Sequence, residues 1–240
     1  MIVLIDIGNT RTKYCLVNEG KNSSQQALLN DHVNNEFLSD KFSHATKFLV
    51  ASVSHNKLTD EIFAWCQLNK ITYQRVVSEI KKNNVVTGYQ EPSQLGVDRW
   101  LALVGAAALF PNKNILIIDA GTATTIDLLA ADGQHQGGWI LAGITTLINS
   151  VLADTVQVKV KTEERASLAF GTNTSENVHN AAWVATVAAV DSAISQAQQQ
   201  GIIVDEVVFT GGNSGLLSSL VSHQNTIIEQ LVFNGLQAYI

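Results

Sequence analysis

"IVLIDIGNTRTKYCLV", residues 2–17, recurs 113 positions later as "ILIIDAGTATTIDLLA", residues 115–130. In that alignment Ile5 falls on Ile118, Asp6 on Asp119, Gly8 on Gly121, Thr12 on Thr125 and Leu16 on Leu129. Each copy is an apolar run, an Asp-x-Gly turn lined with Thr or Asn, and a second run. That pattern predicts a β-hairpin whose tip carries small hydrogen-bonding groups. Two such elements, each opening one half of the chain, imply an internal repeat and two related domains. They also pose a chemical question, because a carboxylate at the end of a core strand is costly to bury without a partner.

Phosphate answers it. Glycine at a turn removes the Cβ and lets exposed N–H groups close on an anion. Two such tips facing each other across a cleft would grip the β- and γ-phosphates of a nucleotide, with Asp6 and Asp119 holding the cation that screens them and Lys13 adding a point charge. The plain alternative is a tight hairpin with a solvated Asp, and the matched pair favours phosphate over it. No GxxxxGK[ST] loop occurs, and no strand runs into GxGxxG, so the commoner nucleotide folds compete poorly. The architecture that repeats a hairpin phosphate loop is the actin-like one. The expected fold is therefore α/β, two ribonuclease H-like domains of the actin-like ATPase and sugar kinase superfamily flanking a nucleotide cleft, with residues 1–112 in the first and 113–240 in the second.

Composition narrows the partners. The 240 residues carry 46% hydrophobic and 15% charged side chains and a net charge of −6, which suits a globular protein with a full core. An acidic balance argues against nucleic-acid or anionic-membrane partners, since both need a basic face; Lys81-Lys82 is the one adjacent basic pair. Cys15 and Cys66 lie in apolar segments without CxxC spacing, as reduced core thiols of a cytoplasmic protein do; sequence alone leaves a single bridge open. The six histidines, His32, His44, His55, His135, His179 and His223, are scattered, which speaks against a zinc site. The start "MIVLID" lacks a basic n-region, and the longest apolar runs are about half of what a bilayer span needs.

The remaining chain alternates strand and helix. "KFLVASVS" (47–54) predicts a buried strand, and "LTDEIFAWCQLN" (58–69) an amphipathic helix with Leu58, Ile62, Phe63, Trp65 and Cys66 inward. "TYQRVVS" (72–78) predicts a strand, and Asp98 opens a helix that ends before Pro111. "GGWILAGI" (137–144) predicts a strand closing on a glycine turn, followed by a short helix at 144–152. A long helix from about Ser175 to Gln200 has Asn173 as N-cap and Glu176 in capping-box position. "EVVFTGGNSGLL" (206–217) predicts strand, glycine turn and helix, although a glycine after a strand is more often a turn than a ligand cradle.

A third constellation is "YQEPSQLGVDRWLAL", residues 89–103. Gly96 permits a tight bend, and Asp98 and Arg99 stand at a helix mouth, where free N–H groups favour anions. Two roles compete here. Asp98 is either an ordinary N-cap with Arg99 a surface residue, or it accepts a proton from a substrate hydroxyl while Arg99 binds a substrate carboxylate.

The chain resembles the type III pantothenate kinases. "DIGNTRTK" (6–13) is similar to the family's first phosphate motif, "YQEPSQLGVDRW" (89–100) to its pantothenate motif and "DAGTATTID" (119–127) to its second phosphate motif, with "GGWILAGI" and "FTGGNS" (209–214) matching later glycine motifs. Order and spacing agree from Ile2 to about Ser214. The resemblance implies ATP-dependent phosphorylation of the primary hydroxyl of pantothenate, the first step of coenzyme A biosynthesis. It implies ATP binding by Asp6, Ile7, Gly8, Asn9, Thr10, Arg11, Thr12, Lys13 and Thr122, catalysis by Asp98, and substrate contacts from Tyr89, Gly96, Val97, Asp98, Arg99 and Thr174. It further implies Mg2+ with the ATP, a monovalent cation (K+ or NH4+) at Asp119, and a homodimer in which the neighbouring subunit completes the substrate site. Gly211 and Gly212 are left open as neighbours of the ribose or base. The chain departs from the family at Ala142-Gly143, where Pro-Gly is usual, and in "HNAAWVATVAAV" (179–190), where alanines replace helix glycines. A non-catalytic nucleotide-binding regulator of the same fold is the alternative function, and a sugar or acetate kinase or a phosphatase a third.

Overall fold

Isoleucine and valine favour the extended backbone, and in the computed structural model they place β1 (Ile2–Ile7) at the centre of the first sheet. The structure describes residues 1–18, 20–53, 57–153 and 166–240. They divide into two units, Met1–Leu109 with Gln230–Ile240, and Phe110–Glu229.

In the first unit β1 is followed by β2 (Arg11–Asn18), β3 (Lys21–Asn22), β4 (Gln26–Leu29), α1 (Asn35–Phe42), β5 (Lys47–Ser52), α2 (Lys57–Leu68) and β6 (Thr72–Val76). The sheet order is β3-β2-β1-β5-β6, with β4 also paired to β2. β1 runs antiparallel to β2 and parallel to β5. A small hairpin, β7 (Lys81–Lys82) and β8 (Val85–Val86), precedes α3 (Val97–Leu109).

Side chains alternate across a strand, and β1 uses this to feed two cores. Val3, Ile5 and Ile7 pack with Leu38 and Phe42 of α1 and Ile62 and Trp65 of α2. Leu4 faces the other way, into a cluster with Leu49, Ala51, Val76, Cys15 and, from α3, Val97 and Leu101. The period of two carries Asp6 to the Leu4 side, and Lys13, which pairs with Asp6, to the same side as Cys15. One expectation fails here: Phe63 is 46% exposed and lies edge-on against Tyr73 at 5.2 Å. It sits one step round from Ile62, at the margin of the apolar stripe, and covers a β6 ring instead of entering the core. Ser54, the last residue of the expected strand 47–54, lies outside the described residues.

The second unit contains β9 (Ile115–Ala120), β10 (Ala123–Leu129), β11 (His135–Ala142), α4 (Ile144–Ala153), α5 (Thr174–Gln199), β12 (Glu206–Thr210), α6 (Ser214–Leu220) and β13 (Thr226–Ile227). The sheet order is β11-β10-β9-β12-β13. Leu116, Ile118 and Ile126 pack against Ile144 of α4, Trp183, Val187 and Val190 of α5, and Leu217 of α6. Asn173 caps α5 by accepting from the Glu176 N–H at 3.0 Å. The reciprocal arm of a capping box goes to Thr172 instead, whose N–H and hydroxyl donate to the Glu176 carboxylate at 2.7 and 3.1 Å.

The two hairpins are not identical. Ile7 pairs with Thr12, and Ala120, its counterpart, pairs with Thr124. Four residues therefore close the first turn (8–11) and three the second (121–123). The sequence alignment holds along the first strand of each hairpin and slips by one along the second, so Thr12 corresponds to Thr124, not to Thr125.

The last helix, α7 (Leu231–Gln237), was expected with the second domain but belongs to the first unit. Phe233, Leu236 and Tyr239 complete the core beneath Leu4 and Leu101. Glycine on each helix lets α3 and α7 touch: a Cβ at Gly235 would strike the backbone of Leu101, and one at Gly105 the backbone of Leu231 and Gly235. The indole N–H of Trp100 donates to the Tyr239 hydroxyl at 2.9 Å, and Lys47 Nζ to the Tyr239 carbonyl at 3.1 Å.

Candidate functional site

The first turn begins where β1 ends. Asp6 is 9% exposed and Ile7 is buried in the core, so Ile7 offers a ligand only its backbone. The Gly8 N–H donates to the Arg11 carbonyl at 3.0 Å, while Asn9, Thr10 and Arg11 are exposed. Thr12 is buried, and its hydroxyl donates to Asn30 Oδ1 at 2.8 Å. Asn30 also donates from Nδ2 to the carbonyls of Gly8 (3.0 Å) and Asn9 (3.2 Å), and from its backbone N–H to the Thr10 carbonyl (3.1 Å). Sequence reading passed over Asn30. It stands in "LLND", and only the pairing of β4 with β2 brings it to the turn.

The mouth of α3 forms the second constellation of this unit. The helix starts at Val97, and the Gly96 carbonyl already accepts from the Trp100 N–H at 3.0 Å. Asp98 therefore sits in the first turn and is not the N-cap. Its Oδ1 accepts from the Arg99 N–H at 2.8 Å, and a Cβ at Gly96 would come within 2.6 Å of the same oxygen. Glycine leaves the room that the carboxylate occupies. Arg99 is no surface residue: it is 5% exposed, its guanidinium donates to the Tyr89 hydroxyl at 2.9 Å and lies 5.6 Å from that ring's centre. A guanidinium so enclosed keeps a fixed direction, as recognition of a planar carboxylate requires. Tyr89 is placed in turn by its N–H, which donates to Thr87 Oγ1 at 3.2 Å. Val97 points into the core with Ala51 and Val76, leaving only its backbone for a ligand. Ala51 neighbours Asp6 on the adjacent strand, so the mouth of α3 lies over the sheet face that carries Asp6 and Lys13.

In the second unit Asp119 is the penultimate residue of β9, and the Gly121 N–H donates to the Ala123 carbonyl at 3.0 Å. The Thr122 carbonyl accepts from the Gly143 N–H at 3.1 Å and from Thr146 Oγ1 at 3.2 Å. A Cβ at Gly143 would strike the carbonyls of Thr122 and Gly121, which explains why glycine follows Ala142 even without the usual proline. Gly211, at φ +91°, lies so near Asp119 that a Cβ would strike its Oδ1. Thr174 is exposed at the first turn of α5. The backbone and side chain of Thr172, and then Asn173, hold the neighbouring Glu176 carboxyl below its ordinary 4.5.

Among the described residues, no three His, Cys, Asp or Glu side chains gather to hold a metal unaided. An aspartate near the end of a strand, as Asp6 is in the first unit, offers one hard oxygen, a chemistry that would suit a hydrated magnesium taking its other ligands from phosphate and water. No described helix is long and apolar enough to cross a membrane.

The chain matches the family profile described as type III pantothenate kinase over residues 2–196. A type III pantothenate kinase of Colwellia psychrerythraea is 48% identical over 100% of both chains. Among solved structures, a Campylobacter jejuni protein described as a Baf-family transcriptional activator superposes with a TM-score of 0.65 at 22% identity, covering 98% of this chain and 95% of that one. A glucokinase from an Antarctic psychrotroph gives 0.51 at 14% identity, covering 99% and 98%. At such identities the two structures speak for the fold alone, the α/β fold of sugar kinases and actin-like ATPases with two ribonuclease H-like units.

Proposed function

We infer, because the chain belongs to the type III pantothenate kinase family, that it transfers the γ-phosphoryl group of ATP to the primary hydroxyl of pantothenate, opening coenzyme A biosynthesis. The observation that carries this reading is the mouth of α3, where Asp98 and a buried, tyrosine-braced Arg99 stand over the sheet face that bears Asp6 and Lys13.

Each residue then has a task. The N–H groups of Asn9, Thr10 and Arg11 in the first turn hold phosphate oxygens, with Lys13 adding charge; Thr122 is a further residue for ATP binding. Arg99 takes the pantothenate carboxylate in a two-pronged contact. Asp98 accepts a hydrogen bond from the pantothenate hydroxyl, aims its oxygen at the γ-phosphorus and receives its proton. In a loose transition state proton removal lags behind cleavage of the bond to the leaving group, so orientation is most of what Asp98 must supply. Asp6 would hold the magnesium ion that accompanies ATP, and that ion, when bound, would supply the charge screening that the leaving oxygen needs. A monovalent cation, K+ or NH4+, belongs at Asp119, beside Gly211. Thr174 is a further pantothenate contact, the neighbouring subunit of a homodimer completes the substrate site, and the enzyme works in the cytoplasm. A non-catalytic regulatory role has only the shared fold of the Campylobacter protein behind it.

The test is a coupled ATP-consumption assay with pantothenate, run with and without potassium. Asp98→Asn is expected to fold and to bind ATP while losing turnover by about a hundredfold or more. Near-normal turnover in that variant removes Asp98 from the role, and a wild-type protein inert toward pantothenate removes the substrate.

A further inference from the structure

We propose that Asn30, outside every recognised motif, is the positioning residue of the first phosphate turn. The proposal rests on the reading of that turn as a triphosphate cradle. Asn30 leaves the end of β4 and lies against the turn with four hydrogen bonds: Nδ2 to the carbonyls of Gly8 and Asn9, Oδ1 from the Thr12 hydroxyl, and its own N–H to the Thr10 carbonyl. The partners dictate which way the amide points, because carbonyls only accept and Nδ2 must face them.

The consequence follows from the rigidity of the peptide bond. In a trans peptide the C=O and the next N–H point in opposite directions. Drawing the carbonyls of Gly8, Asn9 and Thr10 toward Asn30 therefore turns the N–H groups of Asn9, Thr10 and Arg11 away from it. Those of Asn9 and Thr10 take no backbone acceptor among the described residues. Successive N–H groups held on one side of a turn form an anion-binding concavity, and here one residue sets all three peptide planes, two through its side chain and the third through its own N–H. Asn30 is half-buried and lies behind the turn, so it acts on the nucleotide through the backbone, not by touching it.

The second hairpin is braced differently. Thr124 corresponds to Thr12, yet its fully buried hydroxyl finds no acceptor among the described residues. That turn is tied at one carbonyl, Thr122, by Gly143 and Thr146. The three-carbonyl clamp is thus particular to the first turn and not a general device of these hairpins.

The experiment measures ATP binding by calorimetry without pantothenate, so that it stands or falls apart from the identity of the acceptor. Asn30→Ala removes three of the four bonds. Asn30→Asp keeps shape and the acceptor for Thr12 but loses both donations, so it serves should the alanine variant fold poorly. Either variant, shown folded by circular dichroism, is expected to bind ATP about tenfold to hundredfold more weakly, the scale on which small misplacements of a site act. In turnover assays the KM for ATP should rise in step while the KM for pantothenate stays within about twofold. A folded variant that melts earlier yet binds ATP within about twofold of wild type assigns Asn30 a merely structural role and overturns the proposal.

Discussion

Gly235→Ala is expected to destabilise the first unit although alanine is the better helix former. The added Cβ would meet the carbonyl oxygen of Leu101, with the Leu101 carbonyl carbon at 2.7 Å and Cα at 2.9 Å. All three are backbone atoms in the middle of α3, so no rotamer change relieves the contact and α7 must lift away. Overpacking of a filled site costs about 1–3 kcal/mol, and an immovable backbone wall places this case near the upper end. The intrinsic helix gain of alanine over glycine returns about 1 kcal/mol. The net loss is about 2 kcal/mol, a drop in Tm of about 4–8 °C for a chain of this size. Gly215→Ala in α6 is the control, because its Cβ would meet nothing within 4 Å; it should gain up to about 1 kcal/mol. Calorimetry and urea denaturation of both variants decide the matter. Since α3 carries Asp98 and Arg99 at its mouth, Gly235→Ala should also lower kcat/KM for pantothenate. A Gly235→Ala protein as stable as wild type refutes the close-contact account of the α3–α7 pair.

Other outcomes are equally open to measurement. Tyr89→Phe deletes the acceptor of a charge-assisted bond to Arg99, a bond of a class that contributes about 1.5–3 kcal/mol; the KM for pantothenate should rise about tenfold or more with the KM for ATP unmoved, and an unmoved pantothenate KM denies the bracing role. Glu176 has a carboxyl held below its ordinary 4.5 in the fold, so its contribution is present above that pH and is lost as the pH falls through the lowered value. Tm-versus-pH curves of wild type and Glu176→Gln should therefore differ at neutral pH and converge once the pH has fallen through the lowered value, and curves that stay parallel contradict the capping bond. Burial raises the thiols of Cys15 and Cys66 to about 11 and about 12, and both are free. A disulfide reagent at pH 8 should leave both untouched in native protein and label both in denaturant; rapid labelling of the native form would place at least one outside the core.

How much of this is legible in sequence depends on the range of the interaction involved. The hairpins are, since a period-two apolar run ending in Asp-x-Gly is a local signal and its duplication a stronger one. The unequal turn lengths are not, because Thr124 and Thr125 are chemically the same residue and either alignment looks sound; only strand pairing separates them. The α3 mouth is half legible. Its residues are adjacent in sequence, but the burial of Arg99 against Tyr89 depends on the chain between them. Asn30 and α7 escape for a common reason. Each acts on a partner brought near by tertiary pairing, Asn30 through β4 on β2 and Gly235 through its contact with Leu101, and nothing in the neighbouring residues announces it. Phe63 shows the opposite error, an apolar residue at a permissible helical spacing that the real stripe was too narrow to include.

The return of α7 to the first unit bears on how a nascent chain matures. A ribosome that has released residues 1–109 has made a core with one piece missing, where Leu4, Leu49 and Leu101, with α3 already in place, still wait for Phe233 and Leu236. At translation speeds of 5–20 residues per second, the intervening residues 110–229 take about 6–24 s to appear. For that interval the core of the first unit lacks its last helix, while the residues of the second unit form one uninterrupted stretch of chain.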